Sequence, residues 1–320
     1  MMSSRYSVVI CVLIVLLSAV SLSQQRSLRK SKGTKEVLVP ATATMVRAWD
    51  VPRNPLVDLV NDSSYAAEQI RIGFKIFTST PIEASRWNGN KMSCSNCHLN
   101  AGQREKALPL VGVAGAFPEY NKRAGRLFSL EDRIVGCFTR SQNSTGIAAP
   151  LDSSNREQTE DQLGPSPSSK EVLALSSYIA WLSRGYGIGE KLPWRGLNVI
   201  REDHLLPVDK LDPLTGEKLF VEKCSNCHGE DGQGMEIGDK KAGPLWGPDS
   251  WNDGAGAARV YTLAGMVRHS MPYLDPGSLS DEEAQHIAAY INSKPRPVFP
   301  FKGRDYHSTK IPIDAVYYKK

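Results

Sequence analysis

Two pentads carry the plainest chemistry in this chain: Cys94-Ser95-Asn96-Cys97-His98 and Cys224-Ser225-Asn226-Cys227-His228. Two thiols separated by two residues and followed at once by histidine can form two thioether bonds to a haem and offer an imidazole to its iron. One such pentad is rare by composition, and two exceed chance. The competing reading is a zinc site built from the two cysteine pairs. Each pair, however, ends in its own histidine and follows its own helical stretch. Two covalently attached c-type haems are therefore expected, with Cys94, Cys97, Cys224 and Cys227 as attachment points and His98 and His228 as proximal iron ligands.

The other face of each iron is a problem of elimination. Low-spin electron-transfer haems usually take methionine or histidine there, and residues 99–203 contain neither. The first iron is left with Cys137, a lysine, a ligand from the other half of the chain, or an open position. Cys137 follows His98 by 39 residues and is the one cysteine of six outside the pentads and the N-terminal apolar run. Its neighbours Ile134, Val135 and Phe138 suit a buried apolar role. A spare thiol in an oxidising compartment is nevertheless a liability, so Cys137 is the expected ligand. For the second iron Met271 is favoured: it follows His228 by 43 residues and precedes Pro272, which fixes the local backbone and removes a competing N–H. Met266 and His269 remain alternatives, and Met235 lies too near His228 in the chain. Thiolate ligation lowers a haem potential and methionine raises it, so electrons are expected to run from the first haem to the second.

Five basic residues surround the spare cysteine: Lys122, Arg123, Arg126, Arg133 and Arg140. Such a cluster is often a solvated face or a set of haem-propionate partners. Beside a cysteine sulfur it would also favour the thiolate and could clasp a small dianion through bidentate hydrogen bonds. A sulfur oxyanion suits both properties.

The elements that must position these groups repeat. A helix with apolar spacing is expected over 66–78 and a shorter one over 215–223, each running toward its pentad. Each half then passes through a glycine- and proline-rich stretch and closes with a helix. The first closing helix is expected to start at Ser168 with Glu171, the second at Ser280 with Glu283, both as capping boxes. No strand pattern of any length is visible. The expected fold is mainly α: two cytochrome c-type domains in tandem, each wrapped around one haem, over 63–190 and 214–320, with a linker at 191–213. Residues 152–169 read as a polar surface loop.

Charged residues make up 23% and hydrophobic residues 41%, with a net charge of +5 spread among 34 acidic residues. That excess is too small to argue for nucleic acid and is compatible with anionic small substrates. Residues 8–20 form an apolar run of signal-peptide length, so 1–23 are expected to be a leader, 24–62 a basic irregular segment, and the destination the periplasm. The basic residues from Arg26 to Lys35 oppose translocation and leave an uncleaved anchor as the alternative.

The run Arg133-Ile134-Val135-Gly136-Cys137-Phe138-Thr139-Arg140-Ser141, in a chain with two such pentads and a late methionine–proline pair, resembles thiosulfate dehydrogenases. The resemblance covers about 66–293. It implies a dihaem enzyme that couples two thiosulfates into tetrathionate and passes the electrons to a cytochrome or similar redox protein. It further implies that Cys137 is the distal ligand and active-site sulfur, with Arg123, Arg133 and Ser141 at the substrate. Some members place lysine beside the second-haem ligand; Ser270 stands there in this chain. Three rivals differ in chemistry: a SoxA-like cytochrome that hands thiosulfate to a carrier protein, a dihaem peroxidase with an open iron, and a plain dihaem electron shuttle.

Overall fold

The computed structural model describes residues 53–144, 163–237 and 240–319, so the leader, most of the basic segment and most of the polar loop lie outside it. Six helices build the frame: α1 Tyr65–Thr78, α2 Leu130–Arg140, α3 Lys170–Leu182, α4 Pro213–Lys223, α5 Val260–Ser270 and α6 Asp281–Ser293. None of the described helices is long and apolar enough to cross a membrane.

One crossing is used twice. Helix α1 packs on α3, and α4 packs on α6. At the first crossing a Cβ on Gly73 would sit 2.0 Å from the Ala174 carbonyl oxygen and 2.9 Å from the Tyr178 Cβ. At the second, a Cβ on Gly216 would sit 2.0 Å from the His286 carbonyl oxygen and 2.9 Å from the Tyr290 Cβ. Only glycine lets the two backbones approach so closely. One turn on from each glycine an aromatic ring meets the facing tyrosine, Phe77 with Tyr178 at 5.6 Å and Phe220 with Tyr290 at 5.5 Å. All four rings are buried. Each full aromatic burial contributes about 2–3 kcal/mol, so this pair of motifs anchors each core.

The caps follow the sequence expectation in one closing helix and depart from it in the other. Ser280 and Glu283 form the capping box of α6. For α3 the cap is Ser169, whose side chain accepts from the Val172 N–H, and Ser168 instead pairs with the Ser166 hydroxyl at 3.1 Å. The two serines are equivalent as residue types, and the preceding turn selects the second. The mainly α expectation holds, with two small antiparallel hairpins added: β1 Glu119–Asn121 with β2 Arg126–Phe128, and Glu236–Ile237 with Lys240–Lys241. Three-residue strands are too short to show an alternating pattern in the sequence.

The segment between the two cores is packed rather than free. Trp194 is buried and donates to the Val111 carbonyl at 2.9 Å, and Ile200 belongs to the second core. The chain after α6 also serves both halves: Arg259 pairs with Asp314 near the second core, and Arg140 pairs with Asp305 beside the first.

Candidate active site and haem sites

Helix α2 places three functional candidates on one face. Arg133, Cys137 and Ser141 are spaced by four residues, which stacks them one turn apart. Ser129 and Asp132 form a capping box at its start. Its far end is held from both halves of the chain: Asn252 of the second donates to the Thr139 carbonyl at 2.9 Å, and Asn90 of the first donates to the Ser141 carbonyl at 2.8 Å. Arg123 comes from the turn between β1 and β2, where the Asn121 side chain accepts from the Arg123 and Ala124 N–H groups. Gly125 closes that turn at φ 67°, a conformation glycine adopts without strain.

These residues converge. A cavity of about 600 Å³ is lined by Cys94, Cys97, His98, Arg123, Arg133, Cys137 and Ser141, with apolar walls from Phe77, Leu110, Phe138 and Trp194. The histidine is oriented by the loop that follows it. Leu108, at φ 53°, turns its carbonyl toward the His98 Nδ1 at 2.6 Å. The carbonyl can only accept, so Nδ1 carries the proton and Nε2 is left as a donor atom for a metal. Burial holds this imidazole below the usual histidine range, opposed by the Leu108 hydrogen bond and reinforced by Arg133. A neutral ring is the form that ligates.

The two thiols of the first pentad are half-buried and line the cavity. Burial pushes Cys94 up to about 12 and Cys97 up to about 11. Thr80 fixes the first of them: its hydroxyl accepts from the Cys94 N–H at 3.2 Å and lies 3.4 Å from the sulfur. Cys94 packs on the first core and Cys97 on the second. Asn96, between them, donates to the Lys241 carbonyl at 3.0 Å, which ties this pentad to the loop of the second half.

Not every arginine of the basic cluster serves the cavity. Arg126 is spent on Asp132 in a bidentate pair at 3.1 Å. Arg140 is spent on Asp305 in a buried bidentate pair at 2.8 Å. Arg133 makes no side-chain hydrogen bond or ion pair among the described residues. Half-buried Arg123 holds the Gly254 carbonyl. Burial lowers its pKa first, with Arg140 acting in the same direction and Asp305, Tyr306 and Tyr318 opposing it.

The second pentad sits in the second core, where Cys224 packs near Phe220 and Trp246. Burial pushes the Cys224 thiol up to about 12 and holds His228 below the ordinary histidine range. The Gly243 backbone opposes the His228 shift, although no well-formed hydrogen bond reaches its buried Nδ1. Met271 follows the last turn of α5 and is half-buried, with its N–H on the Val267 carbonyl. Of its competitors, His269 has its Nε2 on the Val199 carbonyl at 2.9 Å, and Met235 is 50% exposed. Both fit poorly as buried ligands, and Met266 stays half-buried on α5.

Both donor sets fit c-type haem: paired thiols beside a histidine, apolar walls, and at the first site an imidazole already oriented through Nδ1. They fit a bare ion poorly, since no cluster of three or more histidine, cysteine, aspartate or glutamate side chains capable of holding one occurs among the described residues.

The SoxA/TsdA cytochrome c domain family matches residues 84–188, and the family described as cytochrome c oxidase, cbb3-type, subunit III matches residues 212–291. Proteins named thiosulfate dehydrogenase align over most of the chain. The one from Stutzerimonas stutzeri is 37% identical over 73% of this chain and 69% of its own length. The one from Allochromatium vinosum is 36% identical over 77% and 84%, and that from Psychrobacter arcticus 33% identical over 86% and 79%. The chain belongs to the thiosulfate dehydrogenase family. A solved structure titled thiosulfate dehydrogenase (TsdBA), from Marichromatium purpuratum in its as-isolated form, superposes with a TM-score of 0.66 at 31% identity. It covers 79% of this chain, and the chain spans about half, 52%, of the solved one. Family membership and fold agree on two cytochrome c domains and two covalently bound haems.

Sequence reasoning missed the residues that hold the walls of this cavity together. Asn90, Asn252 and Asp305 act on it from up to 165 positions away. No local spacing marks them.

Proposed function

We propose that the chain oxidises two thiosulfates to tetrathionate at the Cys137 site and sends the two electrons out through the second haem. The observation that carries this reading is the convergence of Cys137, Arg123, Arg133 and Ser141 on the one cavity that also holds Cys94, Cys97 and His98. Two haems would be held by Cys94, Cys97 and His98 and by Cys224, Cys227 and His228, with Cys137 and Met271 as the further candidate ligands, and would supply the electron sink.

The protein's own groups account for the rest. Arg133, exposed toward the cavity and unspent, takes the sulfonate end of thiosulfate, and Arg123 supplies a second positive charge from the hairpin turn. Held this way, the terminal sulfur of the first thiosulfate bonds to the Cys137 sulfur with loss of two electrons, giving Cys–S–S–SO3⁻. The terminal sulfur of the second thiosulfate then attacks the outer bridging sulfur. The Cys–S bond breaks, tetrathionate leaves, and the Cys137 thiolate is restored. Ser141, one turn on from Cys137, offers a hydroxyl to the incoming oxyanion. Run backwards, the same steps reduce tetrathionate.

The apolar run at 8–20 and the haem-attachment pentads support export to the periplasm, where a small cytochrome or similar redox protein would take the electrons. A carrier-dependent, SoxA-like role shares the family of the first domain, but gives no use to the second cytochrome domain at 212–291.

The test is purified holoprotein with thiosulfate and an artificial electron acceptor, assayed for tetrathionate, with Cys137→Ala alongside. Tetrathionate from wild type and none from the variant supports the reading. An intact, reducible wild type that forms none defeats it and brings the carrier-dependent role forward.

A further inference from the structure

Residues 299–318 lie outside both cytochrome c domain matches, yet they brace the helix that carries Cys137 and the turn that carries Arg123. Asp305 sits at the centre of this strap. It is buried, pairs bidentately with Arg140 at the end of α2, and accepts from the Tyr318 hydroxyl at 2.5 Å. The Phe299 ring lies 3.9 Å under the Arg140 guanidinium. The next residue, Tyr306, donates its backbone N–H to the Arg123 carbonyl at 2.9 Å. One residue thus grips the helix that carries Cys137, and its neighbour grips the turn that carries Arg123.

Tyr306 also lines the cavity. It holds φ 61°, a left-handed conformation that a non-glycine residue rarely adopts. Its ring packs edge-on to Tyr318 at 5.5 Å. Its hydroxyl makes no hydrogen bond among the described residues, in contrast to the Tyr178, Tyr261, Tyr317 and Tyr318 hydroxyls, which all donate to carbonyl or carboxylate oxygens. An O–H donor in the wall of a cavity that also holds Arg123 and Arg133 is suited to a sulfonate oxygen.

Resting on the function proposed above, we infer that Tyr306 contacts the substrate, its hydroxyl donating to a sulfonate oxygen of thiosulfate or tetrathionate. Asp305 is then a positioning residue that acts through Arg140 and the Arg123 turn.

Tyr306→Phe removes the hydroxyl and keeps the ring, so the strap should stay in place. The probe is tetrathionate added to fully oxidised holoprotein, where no electrons are available for turnover, with affinity read by calorimetry. Loss of one hydrogen bond to an anionic group should weaken binding about tenfold. The same variant should raise the KM for thiosulfate by a similar factor, leave kcat within about twofold, and leave the thermal midpoint unchanged. Unchanged tetrathionate affinity in a variant of a wild type that binds it overturns the assignment. So does a fall in kcat with KM unmoved. A wild type that forms tetrathionate from thiosulfate while Tyr306→Phe binds normally would sink this inference alone; a wild type that neither binds nor forms tetrathionate would take the proposed function with it.

Discussion

The two halves of the molecule share a frame and differ in what closes over it. Each half crosses an entry helix and a closing helix at a glycine, and each follows that glycine with a phenylalanine tilted against a tyrosine: Gly73, Phe77 and Tyr178 in the first, Gly216, Phe220 and Tyr290 in the second. The pentads then part company. In the second half Cys224 packs into its own core. In the first, Cys94 faces one core and Cys97 the other, and the cavity beside them is walled by both halves and by the C-terminal strap. A haem inside its own core is protected for electron transfer. A haem at a seam between segments can admit a substrate, and it is there that the chain also gathers cysteine and unspent positive charge.

The sharpest break of this comparison is to remove the proposed distal ligand from each half. Cys137→Ala should lower thiosulfate turnover at least about a thousandfold, because the nucleophile is lost. Met271→Ala should instead lower the midpoint potential of one haem and leave tetrathionate formation measurable with an artificial acceptor. Potentiometric titration and the tetrathionate assay read the two effects separately. Equal loss of turnover in both variants would mean that the halves do not divide chemistry from electron exit.

The shared frame can be stressed in the same paired way. Gly73→Ala and Gly216→Ala each push a methyl to within 2.0 Å of a backbone oxygen, and backbone cannot rotate aside. Each should cost at least about 3 kcal/mol in denaturant unfolding of the holoprotein. If one is tolerated and the other is not, the two crossings are not equivalent.

Much of the frame could be read from the residues because it is local. The pentads, the helical spacing ahead of them and the Ser280–Glu283 cap all depend on neighbours a few positions apart. Cys137 could be singled out by elimination, because residues 99–203 contain no methionine or histidine, and the structure places it in the cavity. What stayed hidden depends on long-range partners. The basic cluster reads as five equivalent charges, yet Asp132 and Asp305 consume Arg126 and Arg140 and leave Arg123 and Arg133 to the cavity. A strap over 299–318 is equally silent, because its meaning lies in Arg140 and Arg123, far back in the chain. The Ser168 and Ser169 caps show the same limit on a small scale.

That partition of charge predicts a contrast within one helix and its hairpin. Arg133→Gln should raise the KM for thiosulfate about 10–100-fold through loss of a charge-assisted contact. Arg126→Gln removes an exposed pair with Asp132 and should leave KM within about twofold. Steady-state kinetics over a range of thiosulfate concentrations separates them, and equal effects would show that the cluster acts as a diffuse field.

The smallest expected effect distinguishes the two closing helices by their response to acid. In the second half Asp281, at the start of α6, bonds His204 Nδ1 at 2.5 Å and Arg268 Nε at 2.6 Å. The hydrogen bond from His204, and then that from Arg268, hold its carboxyl below the usual aspartate value. A lowered folded-state pKa means that this contribution is complete above the unfolded value of about 3.9 and is lost as pH falls through the folded one. In the first half the corresponding position on α3 is Lys170, with no such carboxylate. Asp281→Asn should therefore cost up to about 1 kcal/mol at pH 6, and the difference from wild type should shrink toward zero as pH falls well below 3.9. Urea midpoints of both proteins across that range measure it. A cost that persists unchanged in acid would show that Asp281 acts through packing or a neutral hydrogen bond rather than through its charge.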